Sequence, residues 1–267
     1  MRNTLGRMEG PVGEQPARGG GIRLSRGTHL VIPAGSLTIN VKTGETSISE
    51  IHLQREMYPV WIEIAISQLA PAKSAHEDVL VALEAADEEA ISDALDRELT
   101  SGMLSMVAAA TALDALYASV KEYICLPPSQ VERWRKNRTA RWRQVAEVLR
   151  LGFRVTRGAQ AGKLRQMVKE VYHFRDLAVH PSSRAAQAVL HPDLGAGADW
   201  RYVSFSYNSA LQTVWAVLAY IRDLSEFDFT KSPQAMQTLA SDIKLMLASV
   251  YESWETTHGS LSRNPGL

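Results

Sequence analysis

The chain has 267 residues, enough to bury a substantial core and to hold one large domain. Basic and acidic residues number 29 each, so no bulk charge draws the chain to a polyanion, and a hydrophobic share of 45% argues against disorder. The only cysteine, Cys125, excludes an intrachain disulfide and favours the cytoplasm.

The N-terminal part has little helical character. Residues 1–27 are rich in Gly, Pro and Arg and lack periodicity, which predicts a flexible tail. Apolar residues then alternate over 37–41, and a turn at 42–45 precedes a second short run at 47–48. This pattern predicts a β-hairpin arm over residues 28–55, either packed on the helices or exchanged between subunits. No apolar run resembles a signal peptide, so we expect none.

Helical periodicity dominates residues 56–258, and residues 259–267 are expected to form a second flexible tail. The fold class is therefore mainly α, an antiparallel bundle of six to seven helices with a small N-terminal β-hairpin. The predicted helices carry apolar stripes at 57–69, 79–95, 113–124, 134–149, 164–179, 211–221 and 236–254, and residues 181–200 form a loop.

Caps and charges refine these helices. Thr100 or Ser101 is expected to cap the third helix, which ends at Pro127-Pro128, and Ser129 to cap the fourth. The richest apolar stretch, 103–126, contains Asp114 and two further charges. It is therefore interpreted as a core helix and not as a membrane span.

The most informative segment is Val171–Pro181, where a helix carries an arginine among apolar residues. At about 100° per residue, Leu164, Val168, Val171 and Val179 fall within roughly 40° of Arg175. An unpaired guanidinium is costly to bury, so Arg175 should face a cleft, an interface or an anion. Pro181 predicts a helix end near Val179, and the following turn is expected to swing His180 toward Arg175.

The pattern Arg175-Asp176-x-x-x-His180-Pro181 resembles the signature of the HEPN superfamily of all-helical domains, over roughly residues 74–227. Catalytic members carry Arg, a polar residue, a spacer and His. The resemblance implies that Arg175 holds a phosphate, that His180 is the general acid/base, and that Asp176 orients one of them. Asn is commonest after the arginine in that family, and Asp176 replaces it with a carboxylate.

The implied chemistry is RNA cleavage without a metal ion or cofactor. Histidine can take the proton of a 2′-hydroxyl, which then attacks the adjacent phosphorus, while arginine stabilises the phosphate. The products are a 2′,3′-cyclic phosphate and a 5′-hydroxyl. The resemblance also implies a homodimer with paired motifs, a role in toxin or phage-defence systems, and an antitoxin or regulatory protein as partner.

Basic residues crowd the segment 133–175, in contrast to an acidic helix over 77–98. One interpretation is a surface for a nucleic-acid backbone, and the other is pairing of the two segments or simple solvation. Trp134 and Trp142 lie among the basic residues and are candidates for base stacking or, by their spacing of eight, for the core. The candidate nucleic-acid ligands are Arg138, Arg141, Lys163, Lys169 and Tyr202.

Two alternatives remain open. In the first, the motif organises a dimer in a non-catalytic nucleotide-binding or protein-interaction module, with His180 an ordinary helix-terminal residue. His173, Asp176 and His180, with His191, are a weaker candidate for metal binding, because Pro181 disturbs their common face. The sequence has no Gly-rich phosphate loop, serine nucleophile elbow or zinc-ribbon cysteine pattern.

Overall fold

The computed structural model describes residues 21–25, 28–32, 35–155, 158–180, 187–226, 229 and 232–262. The chain divides into two compact units, with the boundary between Arg55 and Glu56. Residues 1–20, 26 and 27 of the predicted tail 1–27, and residues 263–267 of the predicted tail 259–267, lie outside the described residues.

The first unit contains two small antiparallel sheets. Strands β1 (Gly21–Ser25), β2 (Thr28–Val31) and β5 (His52–Arg55) pair in the order β1-β2-β5, while β3 (Leu37–Ile39) pairs with β4 (Thr46–Ile48). The β3–β4 pair confirms the predicted hairpin, and the Asn40 side chain closes its turn by accepting the N–H groups of Lys42 and Thr43.

One tail prediction is wrong at its end, because Gly21–Ser25 forms strand β1 inside the expected tail 1–27. The short alternation of Ile22 and Leu24 follows three consecutive glycines, and glycine is typical of flexible segments. The strand is therefore specified by its pairing with β2 more than by its own sequence.

The second unit is helical, which confirms the mainly α class. Its helices are α1 (Tyr58–Ser67), α2 (Leu69–Ala85), α3 (Glu88–Tyr123), α4 (Pro128–Lys136), α5 (Arg141–Gly152), α6 (Ala159–Val179), α7 (Trp200–Ser204), α8 (Tyr207–Glu226) and α9 (Gln234–His258). A two-residue strand pair, β6 (Val189–Leu190) with β7 (Gly197–Ala198), interrupts the predicted loop between α6 and α7.

Helix α3 lies at the centre of this unit, where it contacts α1, α2, α5, α6, α8 and α9. It is the one helix among the described residues that is long and apolar enough to cross a membrane, and 61% of its most apolar 18-residue window is buried inside the fold. This packing favours the core-helix interpretation of residues 103–126.

Several helix boundaries differ from the prediction. The expected break at Thr100 or Ser101 is absent, because α3 runs through both residues with buried positions on either side. The break lies earlier, where Ala86 adopts a left-handed conformation and Asp87 caps α3 by accepting the Ala90 N–H at 3.1 Å.

The expected fourth helix is also divided, into α4 and α5, around Arg138 at φ 46°. Ser129 lies within α4, and its expected capping position is occupied by Pro127.

The C-terminal tail prediction, 259–267, is also wrong in its described part. Leu261 is fully buried, and the Ser260 carbonyl accepts a hydrogen bond from Trp215 Nε1 at 3.3 Å. Burial of the Leu261 side chain and these backbone hydrogen bonds, including that of the Leu261 N–H to Glu255, hold this segment on the helices.

Candidate functional site

Helix α6 carries the predicted motif at the point where its apolar stripe leaves the core. Leu164, Val168 and Val171 are buried, whereas the Arg175 side chain is 36% exposed and Val179 is 44% exposed. The helix ends at Val179, as predicted, and the His180 N–H donates to the Asp176 carbonyl at 2.9 Å. The arginine therefore lies at a boundary between apolar packing and water.

Among the described residues, Arg175 makes two weak side-chain contacts. Its Nη1 donates to Asp176 Oδ1 at 3.1 Å, and its guanidinium carbon lies 5.9 Å from the centre of the Tyr172 ring. The Asp176 side chain is 53% exposed, and an exposed pair of this kind contributes about 0–1 kcal/mol. A phosphate can therefore compete with Asp176 for the guanidinium.

His180 is exposed, and within the described residues its imidazole makes no hydrogen bond or ion pair. The turn was expected to bring His180 toward Arg175, but within the described part of one chain the two side chains are not in contact. Both side chains are accessible to solvent at the C-terminal end of α6, and about one and a half helical turns separate their positions.

A polar network that sequence reasoning missed lies beneath Arg175. Tyr172 is buried on α6, and Asp114 on α3 accepts a hydrogen bond from Arg141 Nε at 2.7 Å. Burial raises the pKa of the Tyr172 hydroxyl, and nearby Asp114 raises it further, so Tyr172 stays neutral. Arg141 also stacks 4.0 Å from the Tyr117 ring centre. The Arg141 contacts join α3 and α5, and the Tyr172 ring lies next to Arg175 on α6.

The predicted nucleic-acid ligands are not grouped together. Arg141 is engaged with Asp114, and the Tyr202 hydroxyl donates to Asp96 at 2.6 Å, a bond that raises the pKa of Tyr202 to about 12. Arg138, Lys163 and Lys169 are exposed. Lys163 and Lys169 lie on opposite sides of Arg175, each about 120° away around α6.

Another set of basic residues is grouped. A cavity with a volume of about 490 Å³ lies between α4, α5 and the start of α6. It is lined by four arginines, Arg133, Arg143, Arg150 and Arg165. We call this surface the arginine groove. The spacing of seven between Arg143 and Arg150 places both on one face of α5, a signal that could have identified part of the groove from the sequence.

The two tryptophans favour the structural interpretation in different degrees. Trp134 is 9% exposed and belongs to the core. Trp142 is half-buried, packed against the core, with the guanidiniums of Arg143 and Arg165 at 5.1 and 5.5 Å from its ring centre. Trp142 therefore stabilises Arg143 and Arg165 through cation–π contacts.

A second polar cluster is buried away from the motif. Glu98, 2% exposed, accepts the Tyr207 N–H at 2.7 Å and lies 3.2 Å from His76 Nδ1. His191, the remote candidate for metal binding, is 1% exposed and accepts the backbone N–H groups of Asp193 and Leu194. Across the described part of the chain, no three His, Cys, Asp or Glu side chains are grouped to hold a metal ion.

Comparisons with family models, with curated proteins and with solved structures find no match for this chain. The features of this chain that bear on its function are the motif at the end of α6 and the surfaces around it.

Proposed function

We propose that this protein is a HEPN-like RNA-binding protein that acts as a metal-independent endoribonuclease. Arg175, Asp176 and His180 form its catalytic site. The observation that carries the proposal is that Arg175 is partly exposed and His180 exposed at one helix end, and that, among the described residues, Arg175 is contacted by the exposed Asp176 and the Tyr172 ring. The proposal requires one ligand to contact both groups, a fixed cation and a titratable base.

The proposed mechanism uses these groups directly. His180 takes the proton of a 2′-hydroxyl, the oxygen attacks the neighbouring phosphorus, and the 5′-oxygen leaves with a proton from an imidazolium. Arg175 leaves Asp176 and binds the phosphate oxygens as negative charge accumulates. Two chains in a homodimer would supply the two imidazoles, one as base and one as acid.

The first prediction concerns His180. Replacing His180 with Ala should reduce RNA cleavage in the presence of EDTA at least a hundredfold, because general acid–base catalysis contributes about 10²–10⁴-fold. His173→Ala is the matched control, since His173 is also exposed on α6 and lies outside the motif. Cleavage is measured on labelled RNA, with circular dichroism as the folding check. Equal rates for wild type and His180→Ala would reject the catalytic role.

A second function is favoured by a different surface. A cavity of about 710 Å³ lies between α6, α8 and α9, where Phe174, Trp215 and Trp254 line it. At the C-terminal end of α6, Val179 exposes an apolar side chain. These features suit a non-catalytic interaction module in which the motif helix organises a dimer. That function requires Arg175→Ala to weaken self-association in sedimentation analysis and requires RNA to stay intact.

A further inference from the structure

The arginine groove carries more positive charge than its surroundings neutralise. Glu147 is the one acidic residue among its described lining, and it binds Arg150 through two hydrogen bonds of 2.8 Å. Arg133, Arg143 and Arg165 are exposed and have no acidic partner in the described chain. Like charges gathered on one concave surface repel one another, so an anion bound there would relieve this repulsion.

The start of α6 adds to this positive potential. Gly158, Ala161 and Gly162 line the groove, and no side chain caps the first N–H groups of the helix. The first turn contains no acidic residue, so the helix dipole is not offset there. A Cβ atom at Gly158 or Gly162 would meet nothing within 4 Å, which shows that the backbone faces open space. The free N–H groups are therefore accessible to a phosphate.

The exposed face of α6 that lines the groove carries one further cation, Lys169, and then Asp176, whereas Arg175 lies about 80° around the helix from Arg165. Arg165 lines the groove, Lys169 follows four residues later, and Asp176 follows seven residues after Lys169. These spacings place the three exposed side chains on the same side of the helix. At 1.5 Å per residue, Arg165 and Arg175 are about 15 Å apart along the helix axis. This distance between the groove and the motif is short enough for a few nucleotides to span.

From these observations we infer that the arginine groove binds the phosphate backbone of single-stranded RNA. This inference rests on the proposed RNA-directed function and extends it to a substrate-binding surface. Guanidiniums and helix N–H groups contact phosphates without reading base edges. The groove should therefore bind RNA with little sequence preference and with strong salt dependence.

The test is binding of a single-stranded RNA of about 12 nucleotides whose 2′-hydroxyls are methylated, so that it cannot be cut. The variant Arg133→Gln/Arg143→Gln/Arg165→Gln should bind at least tenfold more weakly than wild type in fluorescence anisotropy. Each phosphate contact contributes about 0.7 to the slope of log K against log salt for single strands. Removal of three contacts should therefore lower the magnitude of this slope by about 2.

The matched control is Arg135→Gln/Lys136→Gln/Lys244→Gln, which removes the same charge from exposed positions outside the groove. It should lose less than threefold in affinity. An equal loss in both triple variants, or no loss in the groove variant, would overturn the inference. The single variants Arg133→Gln and Arg143→Gln, each expected to lose about threefold, serve if the triple variant fails to fold.

A second probe, inorganic pyrophosphate, separates the sources of phosphate. Competition by pyrophosphate for the methylated RNA, lost in the groove variant, supports a phosphate site in the groove. Groove-dependent binding of pyrophosphate without any binding of RNA would overturn the assignment to RNA and favour a small phosphorylated ligand. Because no probe is cleaved, these outcomes are independent of whether the motif is catalytic.

Discussion

Arg175 shows how a single residue of the site could be located from the sequence. Its place in an apolar stripe indicated a boundary position, and Pro181 indicated the helix end at Val179; both features are present. Both signals are local, since they depend on helical spacing and on the backbone before a proline. The Asp114–Arg141 pair beneath the motif gave no local signal, because it joins residues 27 positions apart on different helices.

The same limit explains the nucleic-acid candidates. Composition identified the basic segment but could not separate arginines that already have acidic partners from those that have none. Arg141 lies close to Asp114, whereas Arg143, two residues later, lines the groove. A shift of two residues turns a side chain by about 200° around the helix, so only tertiary contacts decide which arginine is available.

A residue-scale prediction concerns His258, whose ring centre lies 4.5 Å from that of Trp254. Burial lowers the pKa of His258, and Lys73 lowers it further. In the unfolded chain the imidazole returns to a pKa of about 6.5 and binds a proton more readily than in the folded chain. The free energy of unfolding should therefore fall as the pH drops below about 6.5 toward the folded pKa.

Replacing His258 with Gln removes this proton uptake, so the variant should lose less stability than wild type between about pH 7 and pH 5. Urea unfolding at several pH values measures the difference. A steeper pH dependence in His258→Gln than in wild type would contradict the assigned direction of the pKa shift.

At the scale of elements, α3 approaches the segment between α7 and α8 very closely at Gly102. A Cβ atom added at Gly102 would lie 1.9 Å from the Phe205 carbonyl oxygen, so α3 and the segment between α7 and α8 contact each other backbone to backbone. Nearby, Glu98 accepts the first N–H of α8, which fixes the start of that helix. Together these two residues anchor α7 and α8 on the central helix.

Gly102→Ala should destabilise the protein by about 1–3 kcal/mol or more, because the backbone of the contact must move. Gly162→Ala is the control within a helix: its Cβ would meet no atom within 4 Å, and the change should stabilise by about 0.5–1 kcal/mol. Thermal melts of both variants give the comparison. A neutral Gly102→Ala would show that α3 and the α7–α8 segment are not in close contact.

Helix boundaries were the least predictable elements, for a physical reason. The breaks at Ala86 and Arg138 use positive φ angles on residues with a Cβ, so neither glycine nor proline marked them. Asp87 followed by two glutamates did offer an N-cap signal for α3, which the acidic character of the whole segment concealed. The apolar stripes at 113–124, 211–221 and 236–254 predicted parts of α3, α8 and α9 because most of their residues are buried. The stripe at 57–69 was wrong about the buried face of α1, since Met57 and Ile64 are exposed, and the stripe at 79–95 spans the break between α2 and α3.

For the whole molecule, the zero net charge conceals a segregation of charge. The acidic segment 77–98 and the basic segment 133–175 are not joined by an ion pair between described residues. Arg97 pairs with Asp78 inside the acidic segment, at 2.9 Å. The alternative in which the two segments neutralise each other is therefore not realised within one chain. The basic surface remains available to another molecule, which is the condition that the proposed function requires.

The most direct test of the proposed chemistry is the structure of the product ends. Wild-type protein, incubated with RNA in excess EDTA, should give fragments with a 2′,3′-cyclic phosphate and a 5′-hydroxyl in mass spectrometry. RNA with a deoxyribose at the cleaved position should stay intact, because the attacking 2′-oxygen is missing. Fragments with a 5′-phosphate, cleavage at the deoxyribose, or intact RNA throughout would contradict catalysis by Arg175 and His180.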